Sequence, residues 1–363
     1  MTHSQRRGRL AARLTADGLD AMLVSDLVNV RYLSGFAGSN AALLVFADDT
    51  PPVLATDARY RTQAARQAPD LRTVIERACG RHLVQLALAG GARRIGFESH
   101  IVTVDGLDSL ACALTDYPAA DLVRASGAVE ALREVKDAGE VALLRLACEA
   151  ADAALAALVQ RGGLRPGRTE RAVARDLEML MLDHGADGPS FETIVAAGAN
   201  SAVPHHRPTE AVLESGDFVK IDFGALVGGY HSDMTRTFVL GNASGWQREI
   251  YDIVAAAQRT GLAALEAGVA LRDIDAAARR VIADTGYGDH FGHGLGHGVG
   301  LQIHEAPGIN SAAAGTLRAG SVVTVEPGIY LADRGGVRIE DTIAVGARGP
   351  EPLSRFPRDL AIL

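Results

Sequence analysis

The sequence has few of the features that mark secreted, membrane-spanning or nucleic-acid-binding proteins. Its three cysteines, Cys79, Cys112 and Cys148, lie too far apart for a CxxC metal or redox motif. They are odd in number and flanked mostly by alanine and leucine, so we interpret them as buried free thiols and expect a cytoplasmic protein. No uncharged apolar run reaches the roughly 18 residues that a transmembrane helix needs. No signal peptide is visible before the amphipathic N-terminal pattern.

Charge of neither sign dominates the chain. The 36 Lys and Arg residues against 44 Asp and Glu give a net charge of −8, without a long run of either sign. This balance argues against nucleic acid or an anionic membrane as the main partner. Phosphate-binding fingerprints are also missing, since there is no GxxxxGKS/T motif and the glycines of 292–300 do not match GxGxxG. The apolar fraction of 48% is typical of a soluble globular protein with a full core.

The first third of the chain alternates short apolar runs with helical patterns, which is typical of an α/β sheet with crossover helices. Strands are predicted at 21–24, 40–46, 52–56, 71–75, 94–97 and 121–124, and helices at 5–17, 58–68, 80–90 and 104–115. The stretch NVRYLSGFAGS is interpreted as a connection between the first two strands. A chain of 363 residues is long enough for two domains, which we predict at 1–128 and 129–363.

Four helices are predicted in the second domain, and all are interpreted as scaffold. Asp137 and Glu140 have the D-x-x-E spacing of a capping box ahead of a long helix at 138–160. Thr169 can cap the next helix, which we expect to end near residue 184. The other two helices are expected at 246–266 and 271–285.

The glycine-rich segment FGHGLGHGVGLQIHE, residues 291–305, is the densest cluster of candidate site residues. It carries His293, His297 and His304, with glycine at every second position from Gly292 to Gly300. Glycine at this density favours a backbone that bends tightly or approaches another group closely. Histidine is the commonest metal ligand and titrates near neutral pH, so three histidines here indicate a functional site rather than a surface loop.

Acidic residues recur at the ends of apolar strands. The strand at 218–223 carries Asp222, and the returning strand YHSDMTRTFVL carries Asp233. The strand at 322–325 leads into Glu326, and the strand GVRIEDTIAV carries Glu340. We interpret the match of VKIDFG…HSDMT with VTVEPG…RIEDT as a weak internal repeat, whose two halves each supply one face of a shared site. Asp341 is expected to face the other way, as a surface residue or a salt-bridge partner.

Carboxylates on buried strands are unfavourable unless they are protonated, paired or metal-bound. These four acids would be neutralised by two divalent cations, and one imidazole from the glycine-rich segment would complete an oxygen-dominated donor set. Such donors suit Mn²⁺, with Co²⁺, Fe²⁺ and Zn²⁺ as alternatives that use the same ligands. Two ions of this kind can activate water and stabilise a tetrahedral intermediate.

Several segments together resemble the pita-bread-fold metallopeptidases, which include methionine aminopeptidase, aminopeptidase P and prolidase. The segments are SAVPHHRP, KIDFGALVGGYHSDMTRTF, HGLGHGVGLQIHE, TVEPGIY and GVRIEDT. The stretch DAMLVSDLVNVRYLSGFAGSNAALLV resembles the creatinase-type N-terminal domain, which methionine aminopeptidases lack. The resemblance covers the whole chain. It implies an α/β creatinase-like N-terminal domain, an α+β pita-bread metallopeptidase C-terminal domain, and a homodimer.

The resemblance also implies a role for each candidate residue. The implied ligands of the two metal ions are Asp222, Asp233, His297, Glu326 and Glu340, with Asp233 and Glu340 bridging both ions. Glu326 would in addition pass a proton from the attacking water to the leaving proline nitrogen.

The remaining candidates would contact the substrate or support the acids. His205, or its neighbour His206, would bind substrate, and His304 would stabilise charge that develops on the scissile carbonyl. His293 would line the proline side. Arg338, two residues before Glu340, would hold an acid in place.

The implied activity is hydrolysis of the bond between an N-terminal residue and proline, in short peptides with proline in second position. An Xaa-Pro amide has no N–H and restricts its neighbour, so it calls for a dedicated pocket. A prolidase, which takes only dipeptides, is slightly favoured over an aminopeptidase P, which takes longer peptides. A binding module without catalysis and a metal-free creatinase-like hydrolase are disfavoured because all five ligands are present.

Overall fold

The structure, a computed structural model, describes residues 1–346 and 348–363. These residues form two compact units, Met1–Arg133 and Glu134–Leu363. The division lies slightly beyond the sequence-based boundary at 128/129, because the helical turn Glu130–Arg133 belongs to the first unit. There, Arg133 donates a hydrogen bond to Asn29 Oδ1 (2.9 Å).

The N-terminal unit contains one mixed six-stranded sheet. Its strands are β1 (Ala21–Val24), β2 (Ala41–Phe46), β3 (Val53–Thr56), β4 (Arg72–Ile75), β5 (Arg94–Phe97) and β6 (Asp121–Arg124). Its helices are α1 (His3–Ala16), α2 (Leu27–Ser34), α3 (Arg61–Gln67), α4 (Cys79–Ala89), α5 (Val104–Ala111) and α6 (Glu130–Arg133). The strand order is β4-β3-β2-β1-β5-β6, in which β1 is antiparallel to β2 and parallel to β5. The α/β prediction for this unit is confirmed.

Two details of the N-terminal unit differ from the sequence prediction. The connection between β1 and β2 contains helix α2, which begins after the capping residue Asp26 and ends at Gly35, a glycine with φ of 81°. Both capping signals are present in the sequence, but eight residues are too few to show a helical apolar period. The interpretation of every cysteine as buried is wrong for Cys112, which is exposed at the start of the 3₁₀ turn that follows α5.

The C-terminal unit contains the four predicted helices. They are α7 (Ala138–Gln160), α8 (Glu170–Asp183), α9 (Gly245–Ala263) and α10 (Leu271–Ala283). The capping box that begins α7 is confirmed, since Asp137 Oδ1 accepts from the Glu140 amide (3.1 Å) and Glu140 Oε2 accepts from the Asp137 amide (3.0 Å). The Thr169 hydroxyl accepts from the Ala172 amide (3.2 Å) and caps α8. Caps of this kind stabilise a helix by about 1 kcal/mol each.

Short strands between and after these helices form four sheets. The strands are β7 (Gly188–Pro189), β8 (Ile194–Ala197), β9 (Phe218–Phe223), β10 (Ala225–Val227), β11 (Tyr230–His231), β12 (Met234–Val239), β13 (Gly296–Gly298), β14 (Glu305–Ile309), β15 (Val322–Val325), β16 (Gly328–Leu331), β17 (Gly335–Arg338), β18 (Asp341–Gly346) and β19 (Gly349–Pro352). The sheets have the orders β11-β10-β7, β12-β9-β8, β14-β13-β15-β18-β19 and β16-β17. The first two sheets contain the strands of the first half of the predicted repeat, and the last two contain those of the second half.

Each half of the repeat has its own hydrophobic core. In the first half, Leu155 of α7, Leu177 of α8 and Ile221 of β9 are fully buried together. In the second half, Val254 of α9 and Val323 of β15 are buried in a separate cluster. Among the described residues, no helix is both long and apolar enough to span a membrane.

Two strands that the sequence pattern predicts as continuous are interrupted at an acidic residue. The returning strand of the first half breaks between β11 and β12, where Asp233 lies. The corresponding strand of the second half breaks between β17 and β18, where Glu340 lies. The same irregularity at the same place in both halves turns each acid out of the strand ladder and toward the space between the halves.

Candidate metal centre and active site

Each half of the C-terminal unit supplies two carboxylates to one centre. Asp222 is the fifth residue of β9, and Glu326 follows β15 directly. Asp233 and Glu340 occupy the two strand breaks. All four side chains line one cavity of about 310 Å³, and Asp222, Asp233 and Glu340 are almost completely buried.

The ligand atoms of three predicted residues lie within metal-binding range of one another. Asp233, His297 and Glu340 each offer one donor atom, and these three atoms lie within 4.8 Å of one another. His297 Nε2 is 3.5 Å from Asp233 Oδ2 and 3.5 Å from Glu326 Oε1. The spacing leaves room for a cation between them, since metal–ligand bonds to nitrogen or oxygen are about 2.0–2.2 Å long.

The backbone sets the tautomer of His297. Its Nδ1 lies 3.0 Å from the carbonyl oxygen of Gly298, which can only accept a hydrogen bond, so Nδ1 carries the proton. Burial lowers the pKa of His297 to about 4, so the ring is neutral at pH 7. Nε2 therefore presents its lone pair to the carboxylates, which is the state that a metal ligand needs.

The four acids repel one another in a buried space. Burial raises the pKa of Asp233 well above its usual value, and the charges of Glu340 and Asp222 raise it further. Burial likewise raises the pKa of Glu340, with added repulsion from Glu326. Burial raises the pKa of Glu326 to about 8. An acid cluster in this condition is stabilised by bound divalent cations, which replace the protons that the acids would otherwise hold.

A hydrogen-bonded chain of three side chains supports Asp222. His293 Nδ1 donates to the Gly294 carbonyl (2.8 Å), so its Nε2 accepts from the Tyr330 hydroxyl (2.9 Å). Arg338 Nη1 donates to the same hydroxyl (2.8 Å), and Arg338 Nη2 donates to Asp222 Oδ2. Among the described residues, buried Asp222 Oδ1 has no hydrogen-bond partner. One oxygen is thus held by arginine while the other is left available for a cation.

The structure separates the two adjacent histidines that the sequence leaves as alternatives. His205 lines both the 310 Å³ cavity and an adjoining cavity of about 680 Å³. His206 lines only the smaller cavity, and its Nε2 lies 2.8 Å from the Glu170 carboxylate. That carboxylate also accepts hydrogen bonds from the amides of Ala197 and Thr209 (2.8 and 2.9 Å). It therefore holds both ends of the loop 198–208, which contains the two histidines.

The 680 Å³ cavity carries the other predicted substrate residues. His293, His304, Tyr330 and Arg338 line it together with His205. Burial lowers the pKa of His293 to about 4, with a further contribution from the positive charge of Arg338. Burial also lowers the pKa of His304, as does the neighbouring His205. The His293 ring is therefore neutral at pH 7 and gives this cavity a polar group without a positive charge.

Two threonines that the sequence analysis does not single out join the halves of the site. Thr235 donates its hydroxyl to Glu340 Oε2 (2.6 Å), and its carbonyl accepts from the Glu340 amide (3.1 Å). Thr342 accepts from the Asp233 amide (3.2 Å) and donates to the Asp233 carbonyl (2.8 Å). Each threonine follows one of the acids by two residues. This shared position is visible in the matched motifs HSDMT and RIEDT and could have identified both threonines.

Asp341 has no role in the centre itself. It is fully buried and forms ion pairs with Arg236 (2.8 Å) and Arg358 (2.5 Å). The salt-bridge expectation is confirmed, while the alternative of a surface position is wrong. The pairs fix the back of the β17–β18 break, since Arg236 also donates to the Glu340 carbonyl (2.6 Å).

A buried carboxylate cluster with one neutral imidazole, at the base of two adjoining cavities, defines a metal-dependent hydrolase. Residues 142–347 match the model of metallopeptidase family M24, and residues 6–135 match the creatinase/prolidase N-terminal domain. The chain therefore belongs to metallopeptidase family M24 and has the creatinase/prolidase N-terminal domain. The two-domain pita-bread prediction is confirmed.

Relatives of known structure share the whole fold. The chain is similar to an Xaa-Pro dipeptidase from Bacillus anthracis, with a TM-score of 0.94 and 38% identity over 100% of both chains. An X-Pro aminopeptidase from Thermotoga maritima has a TM-score of 0.87 and 34% identity, covering 95% of this chain and 98% of that one. The Xaa-Pro dipeptidase of Pyrococcus horikoshii is 35% identical over 346 residues, 95% of each chain.

Proposed function

We propose that this protein is an Xaa-Pro dipeptidase that uses two divalent metal ions held by Asp222, Asp233, His297, Glu326 and Glu340. The observation that carries the proposal is the single buried centre, where four carboxylates meet one neutral imidazole at the junction of two cavities. The names of the relatives from Bacillus anthracis and Pyrococcus horikoshii support the choice of substrate. When bound, the metal ions polarise the scissile carbonyl and make a water molecule nucleophilic.

The protein's own side chains account for proton movement and orientation. Glu326 accepts a proton from the attacking water and delivers it to the proline nitrogen as that nitrogen leaves. A carboxylate that lines both cavities is placed to take part in both steps. His304 donates a hydrogen bond to the developing oxyanion, and His205 contacts the peptide from the opposite loop.

The larger cavity is suited to the proline side of the substrate. The His293 and Tyr330 rings line this cavity with their centroids 5.6 Å apart, and Arg338 donates a hydrogen bond to the Tyr330 hydroxyl. Because an Xaa-Pro nitrogen has no hydrogen to donate, this side needs shape rather than a hydrogen-bond acceptor. The N-terminal residue then occupies the smaller cavity, where Phe191 and Ile194 form an apolar wall.

The metal, the assembly and the location are proposed as follows. Oxygen-dominated donors with one imidazole favour Mn²⁺, and Co²⁺, Zn²⁺ and Fe²⁺ fit the same ligands. We propose a homodimer, on the resemblance of the chain to its family. Free cysteines, two of them buried, favour a reducing compartment such as the cytoplasm. Elemental analysis of the native protein, analytical ultracentrifugation and cell fractionation test these three points.

Release of leucine from Leu-Pro and from Leu-Pro-Ala-Gly, measured in parallel, tests the activity. The protein is stripped with chelator and reloaded with each metal, and Leu-Ala serves as the control that lacks proline. We expect cleavage of Leu-Pro alone. Equal or faster cleavage of the tetrapeptide would assign an aminopeptidase P activity instead, and cleavage of none of the peptides would refute the proposal.

A further inference from the structure

The chain contains only two lysines, Lys136 and Lys220, and both are buried in the C-terminal unit. Lysine is almost never fully buried unless its ammonium group is paired, because removing that charge from water is costly. Arginine carries the remaining positive charge of the chain. Each of these two buried lysines therefore needs polar partners inside the fold.

Lys220 holds the backbone that leads to His205. Its ammonium group donates to the carbonyl oxygens of Val203 (2.7 Å) and Pro204 (3.3 Å). Arg338 Nη1 donates to the same Pro204 carbonyl (3.3 Å). The Lys220 and Arg338 side chains thus fix the two peptide groups immediately before His205.

Lys136 holds the residue that follows His304. Its ammonium group lies 2.7 Å from Glu305 Oε1, and the two side chains are 1% and 6% exposed. The Glu305 carboxylate reaches this position by passing over Gly300, where an added Cβ would lie 2.3 Å from Glu305 Oε1. The backbone amide of Lys136 donates to the Gly320 carbonyl (2.9 Å), which anchors the lysine itself.

The two histidines have little else to orient them. His205 and His304 are exposed to the cavities, and within 1–346 and 348–363 neither ring has a hydrogen-bond partner. His304 has an edge contact with the His297 ring, at 4.3 Å between centroids. The position of each ring therefore depends on the backbone beside it.

We propose that Lys220 and Lys136 are positioning residues for His205 and His304 respectively. Each lysine fixes the chain next to one histidine and so places that ring against the substrate. The assignment rests on the proposed function, because that function gives the histidines their role. Neither lysine lines either cavity over the described part of the chain, so both act through their neighbours.

Crossed double-mutant cycles test this pairing. Lys220→Met and Lys136→Met are each combined with His205→Ala and with His304→Ala, and kcat and KM for Leu-Pro are measured. We expect Lys220→Met to lower kcat/KM about 10–100-fold, the scale of a displaced catalytic group. That loss should shrink to about twofold or less when His205 is already alanine, because effects in one coupled unit are not additive. It should persist in full when His304 is alanine.

Lys136→Met should show the reverse pattern, with its loss absorbed by His304→Ala and not by His205→Ala. Each lysine is thereby the matched control for the other. Full additivity in every combination, or unchanged kinetics in both single variants, would overturn the proposal. Loss of bound metal in Lys220→Met would instead show that the lysine supports the metal ligand Asp222, two residues away on β9, and would overturn its pairing with His205.

A measurement on the metal-free protein makes the outcome independent of activity. Hydrogen exchange should rise in residues 198–209 for Lys220→Met and in residues 298–309 for Lys136→Met, each without change in the other segment. If methionine prevents folding, two milder variants replace these. Lys220→Gln weakens the hydrogen bonds to the Val203 and Pro204 carbonyls, and Glu305→Gln removes the charge that pairs with Lys136. Failure of the unaltered enzyme to cleave Leu-Pro would refute the proposed function, whereas unchanged local exchange would refute the anchoring.

Discussion

Two histidines four residues apart in the glycine-rich segment differ in what their Nε2 atoms face. Both rings donate from Nδ1 to a following carbonyl, so both present Nε2 as an acceptor. For His293 the Nε2 atom accepts from the Tyr330 hydroxyl at 2.9 Å. For His297 it faces Asp233 and Glu326. The same Nδ1 hydrogen bond thus leaves one Nε2 atom with a neutral partner and the other available to a cation.

Removal of a bridging acid should abolish activity together with metal binding. Asp233→Ala and Glu340→Ala each delete one carboxylate from the cluster, and we expect hydrolysis of Leu-Pro to fall about 10³-fold or more. Metal content, measured by elemental analysis after gel filtration, should fall in parallel.

His304→Ala is the matched control for those variants. It lies beside the centre and should slow turnover about 10²–10³-fold while the bound metal is retained, as expected for loss of an oxyanion donor. Near-normal turnover in Asp233→Ala with two metals bound would contradict the ligand assignment. Loss of metal in His304→Ala would place that histidine among the ligands.

Metal affinity should rise with pH. In the metal-free protein the pKa of Glu326 is about 8, so this carboxyl holds a proton at neutral pH that a bound cation must displace. Because the pKa of Glu326 is about 8, apparent affinity should increase as pH rises from about 6 to about 8.

Titration calorimetry in two buffers of different ionisation enthalpy measures both the affinity and the protons released. Glu326→Gln is the comparison variant, and it should bind more weakly with a flatter dependence on pH. An affinity that is constant between about pH 6 and about pH 8 would show that these acids are ionised before metal binds.

At the scale of elements, the centre is formed where two similar strand pairs break. Thr235 and Thr342 connect the breaks, each reaching the acid of the opposite half. The bonds differ in kind: Thr235 reaches the Glu340 side chain, while Thr342 contacts the Asp233 backbone. Loss of each hydroxyl should therefore have a different effect on the site.

Thr235→Val should weaken metal binding about 10–100-fold, since it removes a hydrogen bond that orients the bridging Glu340 carboxylate. Thr342→Val should lower stability by about 1 kcal/mol with a smaller effect on the metal, because only backbone bonds are lost. Metal titrations and urea unfolding of both variants distinguish the two effects. Equal loss of metal affinity in both variants would contradict the assigned difference.

At the scale of the whole molecule, the acid cluster makes the metal-free C-terminal unit sensitive to pH. Folded acids with raised pKa values bind more protons than the same acids in the unfolded chain. The free energy of unfolding therefore falls as pH rises above about 4.5, until the folded acids are themselves ionised. Bound cations oppose this loss by neutralising the cluster.

Chelation should accordingly destabilise the C-terminal unit, and more strongly at pH 8 than at pH 5. Metal at about 100 times its dissociation constant stabilises by about 2.7 kcal/mol, which a thermal unfolding experiment resolves. Hydrogen exchange should rise in Glu134–Leu363 while the sheet of Met1–Arg133 stays protected, since the four acids lie in the second unit. Equal Tm values with and without metal at pH 8 would contradict this expectation.

The sequence by itself predicted most helices and strands and the candidate residues of the centre. Helical spacing and the Asp137–Glu140 pair predicted α7, and apolar runs ending in acids predicted β9 and β15. These features depend on neighbours along the chain, which periodicity and capping report directly. The same local patterns, with the segments matched to the family, predicted the five candidate ligands and the candidate substrate residues, but not Tyr330, Thr235 or Thr342.

Only the tertiary structure decided which side chains meet. The contact that distinguishes His206 from His205 is made to Glu170, a residue 36 positions before His206 along the chain. The breaks at Asp233 and Glu340 depend on threonines more than 100 positions away, which no window of sequence contains. No motif in the sequence connects either lysine to the site, and the proposed role of each rests on its burial beside Pro204 or Glu305. Long-range packing sets these contacts, because burial makes an unpaired polar group costly wherever its partner lies in the chain.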